Sequence, residues 1–136
     1  MSVVVRRALA AALFGLLLAG CGDATAQPDN AALSSAMAAG RPAEVTVQGQ
    51  VLGLLGDSNG SAGPHQRFRL DLGGGVVVEV DHNVSLAPRV PLHTGDTVTV
   101  HGEFAPDPGH PVIHYTHHAT GRHEGGWIML AGQTYS

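Results

Sequence analysis

Across residues 43–136 the hydrophobic and polar positions alternate in short runs with a period of two. Val45, Val47, Gly49 and Val51 alternate with Thr46, Gln48 and Gln50, the signature of a strand with one buried face. Asp57 to Pro64 is rich in Gly, Ser and Asn and is expected to form a loop. A second strand is predicted over about His65 to Leu72, with Phe68, Leu70 and Leu72 on one face and Arg67, Arg69 and Asp71 on the other. Gly73-Gly74-Gly75 supplies a hairpin turn, and a third strand over Val76 to Asp81 puts Val76, Val78 and Val80 on one side. Pro88 and Pro91 break the pattern because proline cannot donate to a ladder. Thr94-Gly95-Asp96 then turns into a fourth strand carrying Val98, Val100 and Phe104. After a loop with Pro106, Pro108 and Pro111, a fifth strand is expected near Val112 to Thr116, and Trp127 to Leu130 forms a short last strand or a lid.

Five short strands joined by glycine-rich turns predict an all-β fold, a small closed or partly open barrel of five to six strands, with a β-sandwich as the alternative. The long first strand, the hairpin and the Gly95-Asp96 fourth strand with Val98, Val100 and Gly102 resemble an OB-fold. In that resemblance the usual helix between the third and fourth strands is shrunk to the loop Ser85–Leu92. From Gly22 to about Pro42 there is no strand alternation. Asn30 to Ala39 has weak helical character, but its apolar residues are mostly alanines, which bury little, so residues 21–42 are expected to be a flexible tether.

The chain begins with an export-like segment. Arg6 and Arg7 precede Ala8 to Gly20, an uncharged run that falls short of the roughly 20 apolar residues of a spanning helix. It ends in Leu18-Ala19-Gly20-Cys21, which resembles a lipobox. That resemblance implies a signal peptide over 1–20, lipidation of Cys21, a tether over 21–42 and an OB-like domain over 43–136. Attached acyl chains contribute about 0.8 kcal/mol per buried CH₂, enough with several chains to hold a protein at a bilayer. The expected location is the cell envelope, with the domain facing the periplasm. Gly22 after the cysteine resembles outer-membrane sorting more than inner, though Asp23 follows it.

Cys21 is the one cysteine. If it is acylated, thiol catalysis, cysteine zinc sites and disulfides are excluded together, and the fold rests on its hydrophobic core. Without residues 1–20 the chain keeps five arginines and no lysine against eleven acidic residues, a net charge near −6. Such a balance disfavours non-specific nucleic-acid binding, which needs cationic surface to displace counterions.

Nine histidines in 136 residues are the feature most out of line with ordinary composition. His65-Gln66-Arg67-Phe68, Asp81-His82-Asn83, Leu86-Ala87-Pro88-Arg89, and His114-Tyr115-Thr116-His117-His118 followed by Gly121-Arg122-His123 stand out, with Gly95-Asp96, Gly102-Glu103 and Gly126-Trp127-Ile128. Together they resemble DUF3465, a bacterial family of uncharacterised exported proteins marked by a His-Trp-Thr-His-His motif. Here Tyr115 replaces the tryptophan. The resemblance covers about Val45 to Tyr135 and implies no known activity.

Three readings of these residues follow. The first is ligand binding, with a transition metal (Zn, Cu or Ni) held by His82, His114, His117, His118 and His123. In one straight strand His114 and His118 would lie about 13 Å apart at roughly 3.3 Å per residue, with His117 on the other face. A site therefore requires the strand to end early or another strand to contribute, and His82 shares parity with Val76, Val78 and Val80. The second reading is a histidine-dependent hydrolase of the phosphodiesterase type, with His82 and His117 transferring protons and Arg89 holding the anion. The third is a binding or assembly surface of His65, Arg67, His82, Asn83, Arg89, Tyr115 and Arg122, facing a small anion, a glycan or an envelope protein. His93, His101 and His110 are assigned structural places, and Arg67 and Arg69 a solvated face.

Overall fold

The computed structural model describes residues 26–136. The expected signal segment, Cys21 and the first part of the expected tether lie outside the described residues. The fold is all-β. Seven strands form one sheet: β1 (Ala43–Gly60), β2 (Gly63–Asp71), β3 (Val77–Asn83), β4 (Thr97–Ala105), β5 (Val112–His114), β6 (Trp127–Leu130) and β7 (Gln133–Tyr135). Five of them close a ring in the order β1-β2-β3-β5-β4 and back to β1, and β6 and β7 extend from β4. The β3–β5 pair is parallel and the other pairs are antiparallel.

Ring closure depends on the length of β1. Its first half pairs with β4, Ala43 opposite Phe104 through Gln50 opposite Thr97. Its second half pairs with β2, Gln50 opposite Asp71 through Gly60 opposite Gly63. Gly49 sits where the strand passes from one partner to the other. A Cβ there would run into the Asp71 carbonyl, so the close crossing requires glycine. Two irregularities, between Val51 and Gly53 and between Leu55 and Ser58, bend the strand further.

The period-two valines face inward as expected. Val45, Val47, Val51, Phe68, Leu70, Val78, Val80, Val98, Val100, Phe104, Ile113 and Ile128 are all buried. The segment between β3 and β4 plugs one end with Val90 and Leu92. Buried Gln66 fastens that plug, its amide Nε2 donating to the Val90 carbonyl at 2.8 Å and its Oε1 accepting from the Val90 N–H at 3.0 Å. Gln66 thus gives the Val90 N–H its acceptor and adds a second donor to the Val90 carbonyl, which also accepts from the Leu92 N–H at 2.9 Å.

Three expectations need correction. The Gly/Ser/Asn stretch from Asp57 to Pro64 is mostly sheet, because β1 and β2 run almost to the tip of their hairpin. Gln133–Tyr135 adds a strand that was not anticipated. Residues 30–42 are not free tether. Asn30–Ala39 forms helix α1, with Asp29 as N-cap accepting from Ala32 N–H and Gly40 (φ 61°) closing the C-terminus in the left-handed conformation. Leu33 and Ala36 enter the core, and the Asn30 amide bonds both backbone groups of Gln48. Among the described residues no helix is long and apolar enough to cross a membrane.

Candidate functional site

The site is built where β5 ends. Gly102 on β4 lets β5 lie close: a Cβ there would strike the His114 carbonyl and come within 3.0 Å of the Ile113 and Thr116 methyls. The strand stops at His114, and Tyr115 takes φ 57°, a left-handed conformation that costs a non-glycine residue about 1–2 kcal/mol. Gly126 makes that turn possible. Its N–H donates to the His117 carbonyl at 2.8 Å, and a Cβ on it would collide with the Tyr115 carbonyl and lie 2.6 Å from that of His101. The chain beyond the turn folds back over β2 and β3, and His117 becomes buried while His118 stays exposed.

A cavity of about 280 Å³ results, lined by Ala62, His65, Asn83, Leu86, His114, Tyr115, His117, Thr120, Arg122 and His123. Four imidazoles and a guanidinium therefore share one space, and no carboxylate is among the described residues that line it. His65 comes from β2, and the other cationic groups come from β5 and the segment after it. Arg122 is exposed and has no ion-pair partner among the described residues.

Hydrogen bonds fix the protonation of three rings, because a carbonyl oxygen can only accept. His65 Nδ1–H donates to the Gly63 carbonyl at 2.9 Å, and His117 Nδ1–H donates to the His118 carbonyl at 2.9 Å. In both neutral rings the lone pair is then on Nε2, which has no protein partner among the described residues. His123 is committed at both nitrogens: Nδ1–H donates to the Glu124 carbonyl at 2.6 Å, and Nε2 accepts from the Thr120 hydroxyl at 3.1 Å. Burial pushes the His117 imidazole below the usual histidine range, and the charges of His123, His118 and His65 act the same way.

Aromatic contacts order the cavity wall. Tyr115 stacks on His123 with ring centroids 4.3 Å apart and planes 15° from parallel. His117 meets the edge of both rings, at 6.4 Å from Tyr115 and 4.8 Å from His123.

Three anticipated site residues are elsewhere. His82 faces inward, as its parity requires, but lies completely buried beneath the cavity and does not line it. Its Nε2–H donates to the Pro88 carbonyl at 3.0 Å, and Nδ1 accepts from the Thr116 hydroxyl at 2.8 Å, so no lone pair remains for a metal or a proton. Burial also lowers its pKa. Arg89 is drawn off to the β1–β2 hairpin, where it pairs with Asp57 through both terminal nitrogens. Arg67 donates to buried Glu79 at 2.7 Å and does not line the cavity. Asn83 lines the cavity, but its amide is spent on Ala62 and Ser85, holding the hairpin tip to the following turn.

The expected metal set is likewise not assembled. Among the described residues no group of three or more His, Cys, Asp or Glu is placed to hold a metal ion. His118 points out of the cavity, and His82 and His123 have both nitrogens engaged. His93 and His110 are exposed. His101 bonds Thr46 through Nδ1 at 2.8 Å and stacks on Trp127, a wall role consistent with its outward parity.

A family model described as a protein of unknown function, DUF3465, matches residues 16–136. The chain belongs to the DUF3465 family. The match spans α1, all seven strands and every residue of the cavity. No curated protein and no solved structure matches this DUF3465 chain.

Proposed function

We propose that this DUF3465 protein is a ligand-binding module of the cell envelope, anchored through lipidated Cys21, whose histidine-lined cavity takes a small oxyanion. The observation that carries this reading is the lining itself: His65, His114, His117, His123 and Arg122 around about 280 Å³ with no carboxylate among them. An oxyanion is acceptor-only, and such a wall offers it a guanidinium fork and, when the rings protonate, N–H donors from His65, His114 and His117, with His123 adding charge alone. Titration calorimetry of the untagged full chain with inorganic phosphate tests it. Arg122→Ala is expected to weaken binding about tenfold, the worth of one charge-assisted hydrogen bond. Arg89→Ala, remote from the cavity, is expected to leave it within about twofold. No phosphate binding, or equal losses in both variants, would refute the reading. Anchoring is tested by incorporation of a labelled fatty acid, which Cys21→Ser abolishes if the thiol is the acceptor.

A second reading has its own support. His65 and His117 each have Nδ1–H pinned to a backbone carbonyl, which leaves unprotonated Nε2 as the group free to act. In phosphodiester hydrolysis one Nε2 would take a proton from water as it attacks phosphorus, and the other, protonated, would give a proton to the departing oxygen. His65 and Arg122 thereby replace the His82 and Arg89 expected from sequence. Bis(p-nitrophenyl) phosphate turnover by the full chain should fall at least about a hundredfold in His65→Ala and in His117→Ala. A parent with no turnover eliminates this reading and leaves oxyanion binding untouched.

A further inference from the structure

Tyr115 is a costly residue in its position. Its φ of 57° lies in the region that glycine or asparagine fills without difficulty, yet the chain carries a large aromatic there. The surroundings hold the turn from both sides, through the Gly126 N–H bond to the His117 carbonyl and the contact of Gly126 with the Tyr115 carbonyl. The ring is not placed there to fill the core, since the residue is 43 % exposed. One face is covered by the His123 imidazole at 4.3 Å, and Tyr115 also lines the cavity that holds Arg122, His65 and His117. Leu86, 38 % exposed, contributes apolar surface to the same cavity.

We infer that the Tyr115–His123 stack is a platform for a planar unsaturated ring, and that the cavity's ligand is a single ring-bearing phosphate ester of about mononucleotide size. This rests on the oxyanion reading and adds the second half of the ligand. A flat ring laid on Tyr115 extends an existing stack, and its phosphate reaches Arg122 and the imidazoles within one cavity. A volume of 280 Å³ is at the low end for small-molecule sites, which fits one ring and one phosphate rather than a polymer. A formal net charge of −4 also opposes a long polyanion.

The test uses the untagged full chain and four probes: inorganic phosphate, ribose 5-phosphate, phenyl phosphate and adenosine 5′-monophosphate. Ring-bearing probes are expected to bind about tenfold or more tightly than ribose 5-phosphate, the gain that one aromatic stack provides. Their ring protons should shift upfield in NMR spectra of the complex. Tyr115→Gly relieves the backbone strain, so it should fold at least as well as the parent; within that variant the ring-bearing probes are expected to bind no more tightly than ribose 5-phosphate, and the upfield shift to be absent. Tyr115→Trp, which keeps the plane, should retain both the gain and the shift. A gain for phenyl phosphate alone identifies a simple aryl ester as the class, and a gain for both admits nucleobases. Equal affinity for ring-bearing and ring-free probes overturns the platform but preserves the oxyanion site. Failure of all four probes removes both.

Discussion

Replacing His82 by leucine separates scaffold from site. Leucine keeps much of the apolar volume but removes the partner of two polar atoms, the buried Thr116 hydroxyl and the part-buried Pro88 carbonyl. Each orphaned group costs about 1–3 kcal/mol. The hydroxyl rotates and relaxes more readily than the carbonyl, so a total near 3 kcal/mol is expected. That is a large part of the roughly 5–15 kcal/mol available to a domain of this size, and corresponds to a melting-point loss of about 12–24 °C. Thr116→Val alone should cost about 1–2 kcal/mol, and the double variant less than the sum, because only the Pro88 carbonyl is then left bare. The pH dependence carries an independent signature. Burial depresses the His82 pKa in the folded state, so the unfolded chain binds the proton more tightly. The contribution of His82 is therefore complete above about pH 6.5, its unfolded value, and is lost as pH falls toward and through the depressed folded value. His117 acts in the same direction, so the slope should be shallower in His82→Leu without vanishing. Urea unfolding followed by Trp127 fluorescence at pH 7.5 and 5.5 measures both quantities. A variant within about 0.5 kcal/mol of the parent, with an unchanged pH slope, would show that the buried imidazole does not hold this end of the ring.

Other outcomes test other parts of the structure. Leu33→Ala should cost about 2–5 kcal/mol by calorimetric or urea unfolding, since the side chain is fully buried, whereas a residue in a loose tether would cost almost nothing. Gly126→Ala should destabilise by about 3 kcal/mol and abolish phosphate binding in the same sample, because a Cβ there drives apart the backbone that forms the Tyr115 turn. Affinity for sulfate, whose charge does not change between pH 8 and 5.5, should rise as pH falls through that range, because imidazoles gain charge below about pH 6.5. Burial opposes the charging of His117, and burial likewise raises the carboxyls of Asp81 near His114 and of Glu44 near His123. A flat affinity across that range would mean that Arg122 and neutral donors alone hold the anion.

Family membership and the all-β class were legible in the chain, because alternation along a strand reports which side of a sheet a residue faces. Valines 45, 47, 78, 80, 98 and 100 needed no tertiary information to be placed inside. Helix α1 was legible only as weak helical character, because its alanine-rich face hid the single leucine that fixes it to the core; its caps, Asp29 and Gly40, come from the structure. The histidine-rich stretch from His114 to His123 marked one wall of the cavity. Which residues complete that wall was decided elsewhere. Parity placed His82 on the correct side of β3 but said nothing of depth along the ring, and there the difference is between a solvated imidazole and one buried with both nitrogens spent. His65, paired with Asn83 one register step on, has the opposite parity to His82 and keeps its Nε2 free. Arg89 and Arg122 look equivalent in sequence. The curl of β1 brings Asp57 to the first and leaves the second at the cavity mouth, since an ion pair depends on distance through space and not along the chain.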